Sequence, residues 1–209
     1  MHDGLILQEG GAAGGRLCLL FHGVGARPEA MAGVGHALAE RDPALTVVSV
    51  QAPQRSDVGF GWQWFSVRGV DEANRPARVA AAMPAFVECV RHWQGRCQAA
   101  PADTTLVGFS QGALMALEAT QVAAGLAAHV VSLGGRFARP PQRAPLDTVV
   151  HVLHGEDDPV MDCARAVAAC EQLQMLGGQV TLDLFPGLGH DIDARVIARL
   201  LERLPDPAA

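Results

Sequence analysis

The chain has no lysine and no tyrosine, and all 16 of its basic residues are arginine. These gaps exclude chemistry before any motif is read. Without lysine there is no Schiff base to a pyridoxal cofactor or a carbonyl substrate. Nor is there a P-loop or kinase-type phosphate-binding lysine. Without tyrosine there is no phenolic nucleophile or acid. Covalent and proton-transfer work falls to Ser, Thr, Cys, His, Asp and Glu. Positive charge is also short, with a net charge of −6. Counterion-release binding needs a basic face, so no nucleic-acid partner is expected. No apolar run reaches the ~20 residues of a membrane span, so stable membrane anchoring is not expected either. The start, Met1-His2-Asp3-Gly4, lacks the basic and apolar regions of a secretory signal, and a cytoplasmic location is the expectation. There is no C-x-x-C. The five cysteines (Cys18, Cys89, Cys97, Cys163 and Cys170) read as reduced, non-catalytic thiols, with Cys163 and Cys170 on a helical stripe beside Ala166, Val167 and Leu173.

What is present is a folding pattern. With 209 residues, 49% hydrophobic and 18% charged, the chain fits one compact domain over residues 1–209, and no repeat or linker divides it. Short β-prone runs (Leu5–Leu7, Leu17–Phe21, Leu45–Val50, Thr104–Phe109, Val130–Leu133, Val149–Leu153 and Val180–Phe185) alternate with helical periodicity. Helices are predicted after Pro28 with Met31, Val34, Gly35 and Leu38 facing inward, from about Pro76 to Cys97 with a kink at Pro84, over 111–123 and 162–176, and at the end on the stripe Ile192, Val196, Ile197, Leu200, Leu204. Residues 51–70 are turn-rich. The alternation predicts an α/β fold, a doubly wound, mostly parallel sheet of about six to seven strands covered on both faces.

The strongest chemical signal is Gly108-Phe109-Ser110-Gln111-Gly112, a G-x-S-x-G segment with a predicted strand before it and a helix after it. That context marks a nucleophile elbow, where the chain turns so sharply that the serine is strained and its flanking positions must be glycine. The turn lifts the hydroxyl to the carboxyl edge of the sheet, beside a helix N-terminus. A serine nucleophile needs a base, and the base needs an orienting acid; in α/β hydrolases they follow in the order serine, acid, histidine. His190, in the loop Gly187-Leu188-Gly189-His190 between the last strand and the last helix, is the favoured base, with His154 its rival. His129 and His151 fall in strands and read as structural. The acid belongs to Glu156-Asp157-Asp158-Pro159-Val160. Asp158 is favoured because Pro159 fixes its backbone, with Asp157 and Glu156 still in contention. Backbone N–H groups of Gln111 and Val24 are the expected oxyanion donors, the latter in His22-Gly23-Val24-Gly25. His22 reads as a loop brace whose ring bonds the backbone. His151-x-x-His154 starts in a strand and lacks the i,i+4 helical spacing of a zinc-hydrolase pair, so no metal and no cofactor are expected.

Leu19-Leu20-Phe21-His22-Gly23-Val24-Gly25, Gly108–Gly112, His154-Gly155 with Asp158-Pro159-Val160, and Gly189-His190 stand in the order of the phospholipase/carboxylesterase family, and the chain resembles it from about Leu17 to Leu204. Gln63–Gly69 and Asn74–Val79 are most similar to a small bacterial carboxylesterase subgroup. The resemblance implies an α/β-hydrolase fold with little or no cap and a Ser110–Asp158–His190 triad. It implies metal-independent cleavage of short to medium acyl esters or thioesters; a small-molecule acyl ester or thioester is the expected partner, and a monomer or homodimer the expected state. It also implies that Trp64 and Phe65 wall the acyl pocket; the residues alone leave open whether Trp62, Trp64 and Phe65 do this or pack on the sheet edge. Arg136-Phe137 is a weaker candidate for the opposite wall. One departure is visible: Ala26 stands where the family often has Asp after His-Gly-x-Gly. The expected activity is a serine carboxylesterase, with an acyl-protein thioesterase or lysophospholipase as the alternative on the same triad. A binding module on a hydrolase scaffold is the reading from another class, and retention of all three triad residue types argues against it.

Overall fold

A computed structural model describes residues 3–11 and 15–206; Met1 and His2, part of the start read above, lie outside the described residues. The strands are β1 (Gly4–Gln8), β2 (Leu17–Phe21), β3 (Thr46–Val50), β4 (Gln54–Arg55), β5 (Trp62–Gln63), β6 (Thr104–Phe109), β7 (His129–Leu133), β8 (Val149–Gly155) and β9 (Val180–Phe185). The α-helices are α1 (Ala32–Arg41), α2 (Arg75–Cys97), α3 (Gln111–Val122), α4 (Cys163–Met175) and α5 (Ala194–Arg203). Seven strands form one sheet in the order β1-β3-β2-β6-β7-β8-β9, with only β1 antiparallel to its neighbour. The predicted α/β class and the near-absence of a cap hold. The 51–70 segment adds a feature that its turn-rich sequence did not predict, the hairpin β4–β5, whose two-residue strands are too short to show a period.

Burial explains the sequence runs. Every residue of β2 is at most 1% exposed, which is why Leu17–Phe21 is apolar without alternation: a central parallel strand is covered on both faces. On one face Met31, just before α1, and Val34, Leu38, Val196 and Leu200 of α1 and α5 pack against Cys18, Leu20 and Val107. On the other, α2, α3 and α4 pack Phe86, Trp93, Leu114 and Leu173 against Leu17, Leu19 and Phe21. Pro28 opens a short 3-10 turn that runs into α1. Pro84 sits inside α2, which continues through it. Asp162 and Asp193 cap α4 and α5 by accepting N–H bonds from the first turn of each.

Register aligns the carboxyl ends. Phe21 pairs with Gly108, Phe109 with Leu133, Leu133 with Leu153, and Gly155 with Phe185, so the loops leaving β2, β6, β7, β8 and β9 emerge along one edge. β2 is followed by β3 on one side and flanked by β6 on the other. The crevice between β2 and β6 is therefore the switch point at which open α/β sheets place ligands.

His129 and His151 lie in β7 and β8, stacked at 5.6 Å, with His129 Nδ1 3.3 Å from His151 Nε2 and His151 Nδ1 2.9 Å from Thr181 Oγ1. Burial, then the neighbouring His129 and Arg203, push His151 down to about 4, against the opposing pull of Asp183. An unfolded histidine titrates near 6.5. Between those values the unfolded chain takes up a proton that the folded chain refuses, so this contribution to stability is full above pH 6.5 and is lost as pH falls toward 4. Unfolding free energy should therefore decline over that window, by up to about 1.4 kcal/mol per pH unit for one group. Denaturant titrations at several pH values should show a shallower decline in His151→Gln; an unchanged acid-side slope would contradict the assignment.

Candidate active site

The site is built on the β6–α3 turn. Ser110 has φ 54° and ψ −115°, a conformation that costs a non-glycine residue about 1–3 kcal/mol. The two glycines of the motif make the turn fit. A Cβ at Gly108 would overlap the backbone of Gly112 and Ala113, and one at Gly112 would overlap the carbonyl of Phe21. The strain is held by hydrogen bonds on both sides: Ser110 N–H donates to the Leu133 carbonyl at 3.0 Å, and Ser110 O accepts from Leu114 N–H at 3.0 Å.

The Ser110 hydroxyl is 2.8 Å from His190 Nε2, and His190 Nδ1 is 2.7 Å from Asp158 Oδ2. The carboxylate can only accept, so the imidazole carries its proton on Nδ1 and offers Nε2 as an acceptor to Ser110. The loop after β9 holds this ring. Leu188 is buried, Asp157 N–H donates to its carbonyl at 3.0 Å, and the Phe109 ring lies 4.9 Å from the imidazole. Of the three adjacent carboxylates, Glu156 and Asp157 are exposed and Asp158 is buried at 8%. Its other oxygen, Oδ1, accepts from Val160 N–H and Met161 N–H, each at 2.8 Å. Burial alone raises the Asp158 pKa and is the largest single effect. The Met161 N–H, the His190 ring and the Val160 N–H together outweigh it, and the carboxyl is held below its ordinary value.

Two backbone N–H groups near Ser110 in the fold, those of Gln111 and Val24, are left without a backbone acceptor among the described residues. Gln111 is the first residue of α3, so its N–H has no helical partner. Val24 N–H donates to no protein group among the described residues. The loop carrying Val24 passes so close that a Cβ at Gly23 would sit 3.2 Å from Ser110 Cβ. His22 braces this loop as expected, with its Nδ1 2.8 Å from the Gly23 carbonyl and its Nε2 accepting from Ala52 N–H at 3.3 Å. Burial holds the His22 pKa down, opposed by the Gly23 carbonyl and Glu29. The arrangement therefore brings a serine hydroxyl, an imidazole and a buried carboxylate into one hydrogen-bonded line.

A cavity of about 420 Å³ opens on Ser110 and His190, walled by Val24, Ala26, Ala30, Met31, Val160 and Ile192 among others. This corrects the expectation for Trp64 and Phe65. They are 2% and 5% exposed and lie in the core. Trp64 packs edge-on against Phe86 at 4.9 Å and Phe21 at 6.1 Å, because so large an apolar ring gains more under α2 than at an open rim. Their contribution to the site is through backbone: Trp64 N–H donates to Gln111 Oε1 at 2.8 Å, and Gln111 Nε2 donates to the Phe65 carbonyl at 2.9 Å. Arg136 and Phe137 do not wall the cavity either. Arg136 is buried and bonded to Glu72 at 2.6 Å, and Phe137 belongs to the core. Sequence reasoning does not find the wall residues Ala30 and Met31; the signal for them is the helix start at Pro28, close behind the His22-Gly23-Val24-Gly25 loop.

Burial pushes the thiols of Cys18, Cys89 and Cys170 up to about 12, so they stay protonated at neutral pH. Among the described residues no group of three or more His, Cys, Asp or Glu is arranged to hold a metal ion, and no helix is long and apolar enough to cross a membrane.

Comparison with known proteins identifies the family. The family described as Phospholipase/Carboxylesterase matches residues 3–205. The chain is 46% identical over 203 residues to Esterase YpfH of Escherichia coli (strain K12), covering 97% of this chain and 88% of that protein. It is 34% identical over 98 residues to Acyl-protein thioesterase 1 of Gibberella zeae, covering 43% of this chain and 42% of that protein. Among solved structures, esterase PE8 superposes with a TM-score of 0.86 at 26% identity, covering 97% of this chain and 99% of that one. The Bacillus cereus carboxylesterase, at 17% identity, shares the fold with a TM-score of 0.82, covering 97% and 92%. The chain belongs to the phospholipase/carboxylesterase family.

Proposed function

We propose that the protein is a serine carboxylesterase that cleaves short to medium acyl esters through an acyl-enzyme on Ser110. The observation that carries this reading is the continuous relay from Ser110 Oγ to His190 Nε2 at 2.8 Å and from His190 Nδ1 to Asp158 Oδ2 at 2.7 Å, mounted on a strained turn. His190 takes the hydroxyl proton as Oγ attacks the acyl carbon. Asp158 fixes the Nδ1–H tautomer and stabilises the imidazolium that forms. The amides of Val24 and Gln111 receive the charge that develops on the carbonyl oxygen. His190 then gives its proton to the departing alcohol, and water repeats the sequence to release the acid. Family membership and the esterase relative support this reading.

The cavity supports an apolar acyl group, because Ala26, Ala30, Met31, Val160 and Ile192 present hydrocarbon around the nucleophile. A thioesterase or lysophospholipase would use the same relay, so substrate comparison separates them.

Ser110→Ala should fold normally and lose about 10⁴-fold or more in turnover on a chromogenic ester. A pure variant keeping most of its activity would contradict the assignment. Across a series of acyl chain lengths, kcat/KM should rise up to about 4-fold per CH₂ (~0.8 kcal/mol) until the cavity is filled. Ala30→Phe should end that rise at a shorter chain. A flat series, or a series unmoved by Ala30→Phe, would place the acyl group elsewhere. Faster turnover of thioesters than of the matching esters would favour the thioesterase reading.

A further inference from the structure

The mechanism above leaves one buried histidine beside the relay unused. His154 stands near the end of β8, its side chain fully shielded from solvent. Its Nε2 lies 2.7 Å from the Met161 carbonyl and 3.4 Å from Asp158 Oδ2. A carbonyl can only accept, so Nε2 carries the proton, and it is directed chiefly at Met161 because 3.4 Å is beyond a full hydrogen bond. The other nitrogen, Nδ1, is buried with no partner among the described residues. An orphaned buried acceptor is destabilising, and an aliphatic side chain would avoid that loss, so space-filling alone does not account for a histidine here.

We propose that His154 is a positioning residue that fixes the loop presenting Asp158, an inference that rests on the relay reading given above. The loop Asp158-Pro159-Val160-Met161 has little packing on its outer side, with Pro159 exposed and Val160 62% exposed. Its shape therefore depends on inner ties. Met161 uses both of its backbone groups: its N–H donates to Asp158 Oδ1 at 2.8 Å, and its carbonyl accepts from His154. The Val160 N–H supplies the second bond to Oδ1. Release of the Met161 carbonyl slackens the turn, weakens both N–H bonds to Oδ1, and lets Oδ2 move away from His190. His154 thus acts through Asp158, not on the substrate. It approaches the same oxygen, Oδ2, that bonds His190, but its own proton is committed to the Met161 carbonyl, which explains why a histidine that the sequence offers as a rival base serves another purpose.

The test uses two variants of the whole chain. In His154→Gln the side-chain amide can donate to the Met161 carbonyl as Nε2 does; in His154→Leu nothing donates. His154→Leu should lose about 10²-fold in kcat, the scale of an ångström-level misplacement, with KM changed by less than about 2-fold. The far-downfield proton resonance of the His190–Asp158 hydrogen bond should shift or vanish in that variant. His154→Gln should restore kcat to within about 3-fold of the parent and restore the resonance. Equal losses in the two variants, an unchanged resonance in His154→Leu, or undiminished kcat in His154→Leu would each overturn the proposal. Nitrogen-15 NMR of the parent protein gives a check that needs no variant: the His154 proton must be on Nε2, and finding it on Nδ1 would overturn the proposal directly. Failure of Ser110→Ala to lose activity would instead strike at the relay itself, so the two failures are distinguishable.

Discussion

The structure turns on one strained residue. Ser110 holds a positive φ at the end of β6, and every feature that makes the hydroxyl available follows from that turn. Its cost, about 1–3 kcal/mol, must be met by surroundings that leave no alternative. Gly108 and Gly112 admit neighbouring backbone where a side chain would collide, the Leu133 carbonyl holds the serine N–H, and α3 begins immediately afterwards. Gln111 adds a further clamp, because its buried amide is bonded at both ends to the backbone of Trp64 and Phe65. The aromatic cluster of Phe21, Trp64 and Phe86 thereby connects core packing to the position of the turn.

Around that turn the loops at the carboxyl edge restrain one another. Glu156 N–H donates to the Phe185 carbonyl and Asp157 N–H to the Leu188 carbonyl, so the loops carrying Asp158 and His190 are joined before their side chains meet. A Cβ at Gly155 would overlap the Leu188 and Gly189 carbonyls, which shows how closely the two segments approach. Farther out, Glu72 receives Arg136 at 2.6 Å, Arg165 at 3.0 Å and Arg75 at 3.3 Å, linking the segment before α2 to the loop after β7 and to α4. Hydrogen bonding from Arg136 is the main reason that Glu72 is held down to about 2. Glu72 is 55% exposed, so solvent limits what this group adds to stability, and its value lies in fixing the relative placement of three segments.

What could be read from the sequence was what depends on local pattern. The buried run Leu17–Phe21, the G-x-S-x-G turn with its strand and helix, and the glycine-rich loop ending in His190 each carry their geometry within a few residues. The choice among Glu156, Asp157 and Asp158 was less legible, because all three are carboxylates in one loop and only tertiary burial separates them. The brief hairpin β4–β5 has no period to detect. Trp64 and Phe65 show the limit most clearly: the family resemblance implied a place at the site, but whether a ring faces a cavity or the core depends on how β2 and α2 pack around it, as Phe21 and Phe86 do around Trp64, which no local pattern displays. The cavity walls at Ala30, Met31, Val160 and Ile192 come from three separate segments, and no single stretch of sequence shows them meeting.

The central claim is that Ser110, activated by His190, is the nucleophile. The most direct measurement is stoichiometric inactivation with a fluorophosphonate, followed by mass-spectrometric mapping of the modified peptide. A single adduct on Ser110, formed in proportion to lost esterase activity, is the predicted result. Loss of activity with the adduct on any other residue, or full activity remaining after complete modification of Ser110, would contradict the account.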